Sequence, residues 1–153
     1  MLNTVYKFIT LSFKEKMLFI EAFYTLGIMK IAINKKPLKN ITKDLKHHKG
    51  YKKKHTVDSD ININLAISIG DIVKKTSRYT PWESACLVQS LTTVKMLRKR
   101  KIPSIFYLGV HKTKDDIKAH SWSVIEDHIL TGASGHENFT VVSSIESITK
   151  DKK

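Results

Sequence analysis

Residues 80–100 read TPWESACLVQSLTTVKMLRKR. Thr80 can cap a helix, Pro81 suits a first helical position, and Glu83 falls three after Thr80 to close a capping box. Arg98, Lys99, Arg100 and Lys101 suit the negative end of the helix dipole, and Pro103 stops the run. The stretch is therefore expected to be one helix. Leu87, Leu91, Val94 and Leu97 share a face, and the small residues Cys86, Ser90 and Thr93 lie beside them. A strand can pack very close to a helix along such a small-residue edge.

Cys86 is the only cysteine of the 153 residues. That excludes an internal disulfide and a Cys-rich zinc site. It leaves two readings, a small buried hydrophobe or a nucleophile. A helix N-terminus or a neighbouring imidazolium lowers a thiol from its free pKa of about 8.5. Cys86 lies within about two turns of the expected start, and closer still if the helix begins at Ser84.

The chain beyond Pro103 changes period. Ile105–Val110 (IFYLGV) reads as a buried strand, 111–118 as a polar connection and Ala119–Ile125 as a second strand. Glu126 and Asp127 read as a turn, His128–Thr131 as a third strand, 132–135 (GASG) as a bend and Phe139–Ile145 as a fourth strand. On the second strand His120, Trp122 and Val124 share a face. His120 is thus a candidate general base for Cys86. His111, His128 and His136 read as surface or turn residues. The spacing of His120, His128 and His136 matches no common metal-ligand pattern, and no metal is expected. No phosphate loop or nucleotide fingerprint is present.

Upstream, Ser12 and Glu15 form a capping-box pattern before an apolar helix containing Leu18, Phe19, Ala22, Phe23 and Leu26. Residues 17–33 are interrupted by Glu21 and Lys30 and fall short of the ~20 apolar residues of a bilayer span. They are expected to pack on protein, with peripheral membrane contact as the minor alternative. Residues 1–12 lack the apolar run and cleavage site of a signal peptide. Between Lys35 and Lys54 stand nine lysines and one acid, Asp44. The block is read as loop, with at most a short helix near 41–48. Asp58–Asp60 look like a helix entry, and Ile61–Lys75, where helical and strand periods compete, is taken as helix. Residues 146–153 read as a frayed tail.

The formal net charge is +13. That suits an anionic partner, or a solvated Lys-rich surface. Tyr51 alone among the lysines is a thin platform for nucleic acid, and no nucleic-acid partner is expected. A lone thiol fits a reducing compartment, so the expected location is cytoplasmic. The layout is α+β, helices first and then an antiparallel sheet. Residues 1–60 are expected to form an N-terminal helical segment with a Lys-rich linker, 61–146 the core that carries Cys86 and His120, and 147–153 a tail.

The stretches WESACLVQSLTTVKMLRKRKIPSIFYLGV, AHSWSV and DHILTGASGHENFTVVSSI together resemble the stand-alone leader peptidases of lasso-peptide biosynthesis. These are transglutaminase-like proteases of the papain superfamily. The resemblance covers roughly residues 11–145. It implies a papain-like cysteine protease fold with the Cys-bearing helix on a small antiparallel sheet. It also implies Cys86 as nucleophile, His120 as general base and acid, and no cofactor. The implied substrate is a precursor peptide of leader plus core. The implied partners are a leader-recognition protein of winged-helix type and an ATP-dependent cyclase. A non-catalytic scaffold of the same fold is the rival reading, and a basic nucleic-acid-binding domain a more distant one.

Such proteases orient the histidine with a third residue, often Asp, about twelve residues after it. A two-residue turn at 126–127 would pair Ile125 with His128, Trp122 with Thr131 and His120 with Ala133. Residues 131–133 hold no carboxylate. Three options follow. The orienter is neutral (Thr131, Asn138 or a backbone carbonyl), a bend brings in Asp127, or Glu137 supplies the acid.

Overall fold

A computed structural model describes residues 12–50 and 60–147, the side chains of 60–62 excepted. Residues 1–11, Tyr51 with Lys52–Lys54, the helix entry at Asp58 and the tail from 148 lie outside the described residues; Glu146 and Ser147, read as the start of a frayed tail, are instead buried residues ending the last strand. Helix α1 spans Phe13–Lys35 and opens with the expected capping box, in which Ser12 Oγ accepts from Glu15 N–H while Glu15 accepts from Ser12 N–H. A single turn, α2 (Leu38–Ile41), leads to β1 (Lys46–Lys49), and α3 spans Asp60–Ser77. Helix α4 (Cys86–Lys99) precedes β2 (Ser104–Lys112), β3 (Ile117–Ile125), β4 (His128–Thr131), a 3-10 turn (His136–Asn138) and β5 (Thr140–Ser147).

The strands form one sheet in the order β1-β5-β2-β3-β4, every pairing antiparallel. The expected α+β layout is therefore present. Helices α1, α3 and α4 bury Leu26, Ile69, Val73 and Leu97 against Phe106, Ile125 and Ile145 of the sheet. Ile105, Tyr107, Trp122 and Val124 form a smaller cluster on the opposite face.

Three further expectations are corrected. The central helix starts at Cys86 with Ala85 at its N-cap, not at Thr80. Thr80 Oγ1 instead bonds within the 77–84 segment, to Ser77 O, Trp82 O and Ser84 Oγ. Trp82 lies 5.2 Å from the Phe23 ring and so packs that segment onto α1. Tertiary packing there outweighs the capping signal. Second, Lys46–Lys49 is a strand, not loop or helix. It pairs with β5, and His48 Nε2 lies 3.2 Å from the buried Glu146 carboxylate. Third, the β3–β4 ladder starts as expected with Ile125 opposite His128. It then shifts by one, so that Ser123, not Trp122, faces Thr131.

Arg100, the C-cap of α4, grips Glu21 of α1 with both guanidinium nitrogens at 2.6 and 3.1 Å, and Lys99 adds a third contact at 3.2 Å. Such forked pairs are the stronger class of ion pair. The Arg100 guanidinium, with help from Lys99, holds the Glu21 carboxyl below its ordinary range. This stability is present above the carboxyl's unfolded pKa and is lost as pH falls through the lower folded value. Glu21→Gln should therefore lower the melting temperature at neutral pH and flatten its decline in acid, read by thermal unfolding across that range.

Gly70 of α3 is buried against β4, where an added Cβ would meet the Leu130 carbonyl oxygen at 2.8 Å. In an exposed helix Gly→Ala gains about 1 kcal/mol. Here Gly70→Ala should instead cost about 1–3 kcal/mol in urea unfolding, because backbone must shift to admit the methyl.

Candidate functional site

Cys86 is the first residue of α4 and half-buried. Its amide is one of the unpaired N–H groups of a helix start, so anion-stabilising donors and the positive dipole end lie at the sulfur. The small edge of the helix acts as the sequence suggests. Ser90 Oγ donates to Ser121 O at 3.3 Å and lies 3.3 Å from Thr131 Oγ1, which in turn lies 2.7 Å from Ser123 Oγ. Helix α4 is thereby seated on β3 and β4. Its C-terminal end leads into the start of β2, beside the end of β3. Cys86 thus projects about 6 Å past Ser90, toward the His120 side of Ser121.

His120 is half-buried on β3. Its Nε2 lies 2.8 Å from the carbonyl oxygen of Gly132. A carbonyl only accepts, so Nε2 carries the proton and Nδ1 is left as the basic nitrogen. Trp122 stacks on the ring at 5.9 Å and 27°, and Phe139 covers it at 5.1 Å. Gly109 makes room for both: a Cβ there would meet Phe139 Cβ at 2.8 Å and Trp122 Cη2 at 2.9 Å. The face shared by His120 and Trp122 is the one expected.

Gly132 was not among the named orienters, although a backbone carbonyl was. It stands twelve residues after His120. Two features make it glycine. Its φ is +76°, and a Cβ would fall 2.3 Å from Ser121 O. The shift in the β3–β4 ladder ends the pairing at Thr131 and lets this left-handed residue turn its carbonyl to the ring. The sequence signal was a glycine directly after a strand, at the spacing where a carboxylate was sought.

The other named groups are engaged elsewhere. Thr131 Oγ1 bonds Ser90 and Ser123. Asn138 offers its backbone carbonyl to His111 Nδ1 at 2.9 Å. Glu137 lies 3.1 Å from His136. Asp127 stays in the β3–β4 turn, lining a groove of about 360 Å³ with Asp71, Lys74 and His128. His136 Nδ1 also meets Ala133 O at 2.8 Å. Three imidazoles thus hold carbonyls of the 132–139 loop, a role that reading His111 and His136 as surface residues missed.

Strand alternation turns Ser123 to the helix and His120 with Trp122 to the other face. Thiol and ring share one end of the molecule without being neighbours through the helix–sheet interface. Among the described residues no hydrogen bond joins them. No group of three His, Cys, Asp or Glu among the described residues is placed to hold a metal ion.

Gly132→Ala should displace the carbonyl from His120 while the sheet persists. Imidazole nitrogen NMR shifts should then change from a single Nε2–H tautomer to a mixture. An unchanged tautomer in folded protein would remove Gly132 as the anchor.

No curated protein and no solved structure matches the chain at a significant level. A family model described as the transglutaminase-like superfamily matches residues 43–144, two-thirds of the chain, from α2's exit into β5. The matched span holds the α4–β3–β4 unit, with its helix-opening cysteine and its strand histidine. A superfamily of cysteine-protease-like and transferase-like enzymes fits that combination, and the chain belongs to the transglutaminase-like superfamily.

Proposed function

We propose that the protein is a cysteine peptidase that removes the leader from a lasso-peptide precursor, with Cys86 as nucleophile and His120 as general base and acid. The observation that carries the reading is the tautomer. His120 commits Nε2–H to Gly132 and keeps Nδ1 basic, at the same end of the molecule as a thiol that opens a helix. The stretches quoted from the sequence supply the substrate class.

The steps follow from ordinary acyl transfer. His120 takes the thiol proton, and the Cys86 sulfur adds to the scissile carbonyl carbon. The oxyanion is met by unpaired amides of the first turn of α4. The C–N bond breaks as His120 returns the proton to the departing amine. Water, deprotonated by His120, then attacks the thioester, releasing a carboxylate and the free thiol. The amine belongs to the core peptide, which an ATP-dependent cyclase would join to a side-chain carboxylate. A leader-binding protein of winged-helix type would present the substrate.

A non-catalytic scaffold is the second reading, favoured by the absence of a hydrogen bond between Cys86 and His120 and, among the described residues, by the lack of a carboxylate hydrogen-bonded to the ring. One assay separates the two. The chain is incubated with the precursor peptide of its own gene cluster, with and without the recognition protein, and the products are weighed. Leader release is expected, and Cys86→Ala or His120→Ala should slow it by at least about a hundredfold. Asp127→Ala should leave the rate unchanged. Leader release that survives Cys86→Ala would overturn the proposal. Iodoacetamide labelling of Cys86 no faster than a free thiol would favour the scaffold.

A further inference from the structure

Helix α1 is 23 residues long, and by length and composition it is long and apolar enough to cross a membrane. It does not have that freedom, because Leu18, Ala22, Leu26 and Met29 are locked in the core. The opposite side is bare. Phe13, Met17, Ile20, Tyr24, Ile28 and Ile31 are each 43–79% exposed. At 100° per residue they fall within about 80° of the circumference, a straight stripe about 27 Å long. Scattered exposed apolar residues need no explanation, but a continuous row does.

Lys14 and Lys16 flank the start of the stripe, and Lys35 continues its line at the other end. Past that end Lys35, Lys36, Lys39, Lys43, Lys46 and Lys49 are all exposed, with Asp44 the only acid from 35 to 50. Glu21, on the flank of the stripe, is already neutralised by Arg100 and Lys99. An apolar cover alone would need no such one-signed continuation. An apolar row joined to a polybasic patch is the two-signal pattern by which proteins hold an acidic bilayer surface.

We propose that α1 lies in the plane of a membrane surface bearing anionic headgroups. The stripe would enter the acyl boundary, and the patch of Lys35, Lys36, Lys39 and Lys43 would face the phosphates. This inference stands apart from the peptidase reading.

Sedimentation with vesicles tests it, comparing phosphatidylcholine alone with phosphatidylcholine and phosphatidylglycerol in equal parts. The chain should be retained about tenfold more on the anionic vesicles, and less as salt rises. Ile20→Glu with Ile28→Glu should abolish retention, and Lys35→Glu with Lys36→Glu and Lys39→Glu should erase the preference for anionic lipid. All these positions are exposed, and unchanged circular dichroism and urea midpoints will show that the variants fold. Three results would overturn the proposal. They are no retention on either vesicle, equal retention on both, or a dimer in light scattering that the Ile20 and Ile28 substitutions dissolve.

Discussion

The seating of α4 on β3 and β4 is the constraint on which the rest of the structure depends. A helix bearing large side chains along that edge would stand about 10 Å from the sheet. Ser90 replaces such a side chain with a hydroxyl that bonds Ser121 O and meets Thr131. The three hydroxyls of Ser90, Thr131 and Ser123 satisfy one another in a buried place. That contact fixes how far Cys86 extends beyond the sheet and where β4 must stop. The turn at Gly132 and the orientation of the His120 ring follow from where β4 stops.

Much of this was legible in the sequence, because the signals were local. Capping at Ser12, the stop at Pro103, the strand alternation around His120 and the turn at Glu126–Asp127 each depend on a few adjacent residues. What was not legible was decided at a distance. The capping box at Thr80 lost to Trp82 packing on Phe23, a partner some sixty residues away. The strand at Lys46–Lys49 carries no strand-like composition and exists because β5 offers it an edge. The one-residue shift in the β3–β4 ladder has no signature in either strand alone. Without it, Trp122 would face Thr131; the acceptor that results is main chain, which no residue type announces.

The ends of α4 divide the labour of the molecule. At its C-terminus Arg100 and Lys99 clamp Glu21, so that α1 and α4 form one rigid pair. At its N-terminus stand Cys86 and the amides of a helix start. Structural charge is thus kept about twenty ångströms of helix away from the thiol.

An acceptor made of main chain differs in kind from the carboxylate usually sought behind a histidine. A carboxylate takes up a proton in acid and loosens its hold on the ring, whereas the Gly132 carbonyl has no proton to take and accepts at any pH at which the fold persists. It also lends no negative charge, so the imidazolium gains geometry from its partner but little electrostatic support. The site therefore gives up charge stabilisation for a ring anchor that acidity does not erase. Because no side chain supplies the contact, nothing at position 132 announces it except the absence of one.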